Sequence, residues 1–193
     1  DLLLLDAANP DVRVQFAMAE AEYSQRAEHA AAAAKFAAIE AALREAREFP
    51  HTFLGFSRLT GQDAIEMAER AAVADLAMRM TISENTVRAS GYVAQVLRER
   101  ASRVWAWFRE GEISTANARE VAALATELPA EVWAVFDDQV LEYAKTLAPA
   151  RFRAKARSLR ERLHTESLDV RHKQARADRR VSIEVDRDGM GWL

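Results

Sequence analysis

The sequence predicts an all-α helical bundle that contains a helix-turn-helix-like corner and ends in a short C-terminal β-hairpin. Three observations predict it. The 193 residues include only six Gly and four Pro, half of the chain is hydrophobic and 8% aromatic, so helix is favoured and a substantial core can be buried. Apolar side chains recur at three- and four-residue spacing, divided by cap and stop signals, up to a break around Thr165-Glu166-Ser167. Only Arg180-Val181-Ser182-Ile183-Glu184-Val185 alternates as a strand, ahead of an Asp188-Gly189 turn and a returning Met190-Gly191-Trp192-Leu193.

Asn9-Pro10 starts the first helix, with Asn as cap and Pro at the first helical position, and the pattern runs unbroken to Phe49-Pro50. Fourteen of the thirty residues from Ala17 to Ala46 are Ala. Such a smooth surface admits another helix at close range, either along the domain or from a second copy of the chain. His51 to Gly61, with Phe53, Leu54, Phe56 and Leu59, reads as an apolar connection tucked under the bundle. Thr60 caps a helix from about Gly61 to Met80, with Asp63 at the capping-box position. The helix after it carries Val87, Val93, Val96 and Leu97 and continues or breaks near Arg100. Trp105, Trp107 and Phe108 lack interleaved basic residues and read as core rather than as base-stacking groups. Gly111 ends that helix. Ser114 caps the next, whose buried side is Ala118, Val121, Ala122 and Leu124. Pro129 opens a helix through Trp133, Phe136, Val140, Leu141 and Tyr143, Pro149 opens a basic one, and a short helical piece follows Thr165.

The organisation is therefore residues 1–60, a long Ala-rich helix and apolar connection; 61–148, a helical domain holding the corner; 149–180, a basic helical segment; and 181–193, the start of a hairpin. A first residue other than Met and a chain that stops inside a hairpin are expected of a piece of a longer protein.

The corner is the stretch from Ala74 to Arg88. Leu76, Ala77 and Met80 share one side of its first helix, Ile82 plugs the turn, and Val87 returns to the same core. Ser83 accepts a hydrogen bond from an orphaned amide of the second helix, which leaves Glu84, Asn85, Thr86 and Arg88 facing outward. The turn position that often holds Gly is Thr81, a β-branched residue poorly suited to positive φ. From Gly61 to Arg98 there are four Arg against five acids, so the pair is not basic.

A net charge of −3 conceals an asymmetry: residues 1–150 carry 15 basic and 23 acidic side chains, and residues 151–180 carry 11 and 4. The basic block starts at Arg151 and includes Arg153, Lys155, Arg157, Arg160, Arg162 and, further on, Arg171, Lys173, Arg176, Arg179 and Arg180. Distributed around most of a helix, these groups attract phosphate, or the acidic surface of residues 1–150. The absence of Cys excludes disulfides and thiolate chemistry and fits a reducing, cytoplasmic setting. Leu2 to Leu5 is too short for a signal peptide, and no stretch is long enough to span a membrane, so no membrane partner is expected.

No catalytic set can be assembled. His29, His51, His164 and His172 lack metal-ligand spacing, and the adjacent carboxylates Asp137 and Asp138 diverge by about 100° on a helix. Without a phosphate-binding Gly loop or a nucleophile elbow, neither a catalytic residue, a metal ligand nor a cofactor is expected in this chain.

The pattern as a whole resembles an actinobacterial family known as domain of unknown function 222, often found N-terminal to an HNH endonuclease. The resemblance rests on the Ala-rich first helix, Ala74 to Val87, Arg109-Glu110-Gly111-Glu112-Ile113-Ser114-Thr115-Ala116-Asn117-Ala118-Arg119, Leu147-Ala148-Pro149-Ala150-Arg151, and Arg179-Arg180-Val181 through Asp188-Gly189-Met190. It implies a nuclease domain downstream in the same polypeptide, none of whose catalytic residues is present here. Residues 74–119 are also similar in layout to the helix-turn-helix region of ParB and KorB partition proteins, with Asn117 where that signature has His. The expectation is a module that contacts double-stranded DNA through Arg79, Ser83, Asn85, Thr86 and Arg88 in the corner and through Arg153, Arg157 and Arg160 in the basic helix. The alternative is a protein-interaction module, in which the Ala-rich helix pairs two copies as a homodimer and the basic helix docks on the nuclease domain or another acidic partner.

Overall fold

A computed structural model describes residues 9–55, 58–164, 184–185 and 191–192. Helix α1 spans Pro10–Glu48, α2 His51–Leu54, α3 Gly61–Met80, α4 Glu84–Arg100 and α5 Ser102–Arg109. Helix α6 follows over Thr115–Thr126, then a 3-10 turn at Ala130–Val132, α7 over Trp133–Thr146 and α8 over Pro149–Leu163. The chain forms an α bundle. A two-residue antiparallel pairing sets Glu184 opposite Trp192 and Val185 opposite Gly191. Leu2 to Leu5, Phe56, the helical piece after Thr165, the basic residues from Arg171 to Arg180, His172, and the Asp188-Gly189 turn lie outside the described residues.

Local signals set most boundaries. Asn9 Oδ1 accepts from the Asp11 amide and Pro10 opens α1; Pro149 opens α8; Ser114 Oγ accepts from the Asn117 amide at the start of α6. Gly111, at φ 77°, ends the turn after α5. Two expectations fail between α1 and α3. Phe53 and Leu59 are exposed rather than tucked under the bundle, and the smaller core is built without them, from residues that include Leu43, Ala46, Ala72 and Val73. Thr60 holds the cap position of α3 but its hydroxyl makes no capping bond.

Two hydrophobic cores share α1. The larger gathers Phe36, Leu97, Val104, Phe108, Ile113, Val121, Phe136, Val140, Phe152 and Leu159 from α1 and α4 to α8. The smaller joins Ile39, Leu43 and Ala46 of α1 to Ala72, Val73 and Ala77 of α3 and Val87 of α4. Helix α4 packs closely on α1 at Gly91, where a Cβ would meet Leu43 at 3.0 Å and Ile39 at 3.3 Å. Of the aromatic cluster, Trp105 and Phe108 are buried, whereas Trp107 is 38% exposed beneath the Lys145 ammonium, 3.4 Å from the ring centroid.

Gly111 lies directly against the backbone of α1 at Arg26. A Cβ built there would lie 2.2 Å from the Arg26 carbonyl oxygen, and neither backbone atom can move aside without undocking α1 from α5 and α6. Gly111→Ala therefore combines a steric conflict with a left-handed backbone, and should lower stability by about 3 kcal/mol or more. In thermal denaturation this corresponds to a fall of roughly 6–12 °C for a chain of this size; an unchanged midpoint would contradict the close approach.

Candidate nucleic-acid interface

Helix α3 ends in a left-handed residue. Thr81 sits at φ 56°, ψ 45°, its amide bonding the Met78 carbonyl at 3.3 Å and the Ile82 amide reaching back to Ala77 at 3.1 Å. These two bonds, with Ile82 packed on the core beside Ala77, make a Schellman stop. The sequence argued against positive φ at a β-branched residue, yet the fold imposes it, since Ile82 and Val87 must both reach the core below. Val87 is fully buried, with Leu76, Met80 and Ile82 half-buried against the same cluster.

Ser83 then caps α4. Its Oγ accepts from the Thr86 amide at 3.1 Å and lies 2.8 Å from Thr86 Oγ1. Glu84, Asn85, Thr86 and Arg88 are exposed on the outer face. Both arginines of the corner carry an acid four residues earlier: Arg79 Nε lies 2.9 Å from Asp75, and Arg88 Nη2 lies 3.2 Å from Glu84. The hydrogen bond to the Asp75 carboxylate, with its charge, raises the Arg79 guanidinium above its ordinary range.

The other predicted residues lie on a different core. Phe152, Ala156 and Leu159 bury the inner face of α8. Arg153, Arg157 and Arg160 occupy its flank against α6. Arg153 and Arg157 both bond Glu120, at 3.2 and 3.1 Å, and Arg160 bonds Glu127 and Glu161. The structure thus brings these three together as a row facing an acidic edge of the same chain. The corner packs on α1, whereas α8 packs on α6 and α7.

The segment from Gly111 to Arg119 acts as a clasp. Ile113 is fully buried, Ser114 caps α6, and Arg119 lies over the Phe36 ring at 5.3 Å. Asn117 is buried and its amide nitrogen bonds the carbonyls of Ala144 and Leu147 at 2.9 Å each, closing the C-terminal end of α7. Three buried polar residues were not anticipated. Asp137 accepts from the amides of Arg103 and Val104 at 2.9 and 3.0 Å and caps α5, whose own cap position, Ala101, has no side chain to do so; Asp138 pairs with the Arg103 guanidinium. Glu40, 6% exposed, is held by Arg44 at 3.1 Å and Arg98 at 2.5 Å. Glu40, Asn117 and Asp137 each fall on the apolar stripe of their helix, and a polar group placed there is the signal that locates them.

Among the described residues no group of three His, Asp or Glu is arranged to hold a metal ion, and no helix is long and apolar enough to cross a membrane. What the geometry defines is an all-helical domain of two cores on one long helix, with its capped corner on the smaller core. The chain belongs to the family described as Domain of unknown function (DUF222), whose model matches residues 23–193. No curated protein and no solved structure matches the chain.

Thr81 provides a direct check on the corner. A left-handed conformation costs a residue with a Cβ about 1–2 kcal/mol, and glycine avoids that cost. Thr81→Gly should raise stability by about 1 kcal/mol, roughly 2–4 °C in the melting midpoint; a fall would show that the turn is not left-handed.

Proposed function

We propose that this chain is a DNA-binding, target-positioning module, not catalytic by itself, that serves an HNH nuclease domain in the same polypeptide. The observation that carries the reading is the corner. A helix capped by Ser83 presents Asn85, Thr86 and Arg88 outward, while Ile82 and Val87 hold it to the core. In a helix-turn-helix the first residues of the second helix reach base edges in the major groove. Asn suits adenine and Arg suits guanine or a phosphate. The Glu84 partner of Arg88 is no obstacle, because an exposed pair four residues apart is worth about 0.3–0.5 kcal/mol and yields readily to a phosphate. The similarity of residues 74–119 to the ParB and KorB layout adds to the reading, and the HNH association rests on the family resemblance. The exposed cations of α8, Arg151, Lys155 and Arg162, add sequence-independent attraction. The reading also includes a short hairpin after Arg180, supported by the pairing of Glu184 with Trp192.

A specific observation favours a second reading, self-association. The N-terminal turns of α1 expose large apolar side chains, with Phe16 66% and Tyr23 74% exposed. Met18 lies eighteen residues, five full turns, before the buried Phe36, so it shares the bundle-facing side; Phe16, two residues earlier, lies about 160° around the helix. Val12, Phe16, Ala19 and Tyr23 follow one another at spacings of four, three and four, as in a coiled-coil seam. In an antiparallel pair Phe16 would cover Ala19 of a second copy, Val12 would cover Tyr23, and Arg13 would flank Glu20.

Duplex binding followed by fluorescence anisotropy tests the first reading. Asn85→Ala and Arg88→Ala should each weaken binding by about 1–3 kcal/mol if they touch bases, with the melting midpoint unchanged; unaltered affinity for both removes the recognition helix. For the second, sedimentation should give a dimer that Phe16→Glu converts to monomer. Since the chain has no Cys, a mixture of Phe16→Cys and Ala19→Cys chains should form a disulfide-linked heterodimer more readily than either variant alone forms a homodimer. A monomer at all concentrations rejects this reading.

A further inference from the structure

Most of the bundle's ion-paired arginines sit where an acid balances them: Arg26 with Glu112, Arg47 with Glu69, Arg79 with Asp75, Arg88 with Glu84, and the row on α8 with Glu120 and Glu127. A groove between α1, α4 and α5 differs. Arg44, Arg98 and Arg109 line it together, and its volume is about 570 Å³. Among the described residues the one carboxylate bonded to any of them is the buried Glu40, shared by Arg44 and Arg98. Arg109 is exposed and has no ion-pair partner among the described residues. Three guanidinium groups against one carboxylate leave a local charge of +2.

We infer that this groove is a phosphate-binding site, and that in the DNA-binding reading it takes the sugar-phosphate backbone. The inference rests on that reading only for the source of the phosphate. Arg44 and Arg98 each spend a single nitrogen, Nη1, on Glu40, and a guanidinium offers five N–H donors in a fork that matches phosphate oxygens. Glu40 thereby fixes two forks at the rim without neutralising them. The α1 wall is Ala30, Ala34 and Ala37, which share a face with Arg44 and carry no side chain long enough to block a backbone from lying along it. Trp105 also lines the groove but is 9% exposed and packed edge-on against Phe108, so no aromatic face is offered to a base. The groove therefore suits phosphate oxygens, not nucleobases, and selects no sequence.

The clean variant is Arg109→Glu, because removing Arg44 or Arg98 would strip a partner from a buried carboxylate and unsettle the fold. Arg70→Glu, on the exposed side of α3, makes the same change in net charge elsewhere. Two probes are titrated: a random-sequence duplex by anisotropy over a range of salt, and inorganic pyrophosphate by thermal shift. Arg109→Glu should weaken duplex binding about tenfold or more, reduce the slope of log affinity against log salt by about one, and abolish stabilisation by pyrophosphate. Arg70→Glu should leave both close to the parent. Stabilisation by pyrophosphate that Arg109→Glu removes, in a chain that binds no duplex, upholds the groove with a free phosphorylated ligand as its source and rejects the DNA-binding reading. Duplex binding equal in the parent and Arg109→Glu overturns the groove and leaves the DNA-binding reading intact. Binding of neither probe by the parent overturns both.

Discussion

Both hydrophobic cores close against one wall, the face of α1 that carries Phe36, Ile39, Leu43 and Ala46, and the rest of the arrangement depends on that wall being uninterrupted and closely approached. Alanine makes the approach geometrically easy but contributes little buried area per contact. The larger buried side chains of α1, Phe36, Ile39 and Leu43, therefore fall close together along it. Gly91 and Gly111 supply the matching close points on the other elements. Glu40 lies in the same wall, and burying its charge obliges the fold to bring Arg44 from α1 and Arg98 from α4 to one place. A packing constraint thus determines where positive charge collects.

That outcome changes how the charge pattern is understood. By count, the basic helix after Pro149 is the obvious polyanion surface. In the folded chain, its row of three arginines fastens α8 to the acidic edge of α6, an internal use that the excess of acid in residues 1–150 allows. The corner is neutral for a similar reason, each arginine having an acid one turn away. A further excess of positive charge lies between α1, α4 and α5, on residues 44, 98 and 109, which are scattered in the sequence and belong to no basic run. A charge count along the chain identifies where cations are made, while the neighbours across helices decide which of them are left to act.

Much of the helical order was legible because its signals are local. Asn9-Pro10, Ser83, Ser114 and Pro149 mark helix starts through bonds and angles within three residues, and Gly111 marks a stop through its own φ. The apolar stripes likewise located Val87, Phe108, Phe136 and Val140 in the interior. What escaped were interactions that span the chain. Asp137 caps a helix thirty-four residues earlier, Asn117 closes one twenty-seven residues later, and Glu40 finds Arg98 fifty-eight residues on. Periodicity places such groups on an inner face but does not name their partners. Phe53 and Leu59 misled in the opposite direction, since apolar character alone does not place a residue in a core. Thr81 shows tertiary demand overriding a conformational preference: the core positions on either side of the turn fix its backbone, and the residue accommodates it.

The shared wall also sets an order of events during synthesis. Phe36 belongs to the same core as Leu159, which leaves the ribosome 123 residues after it, about 6–25 s later at ordinary elongation rates. Within that interval α1 gains its neighbours only stepwise, α3 from Gly61 onward, α4 from Glu84 and α5 from Ser102. A run with fourteen alanines in thirty residues can hold helical shape on intrinsic propensity while it waits. Its composition then answers a kinetic need as well as a geometric one: the scaffold is already formed when the pieces that will cover it arrive.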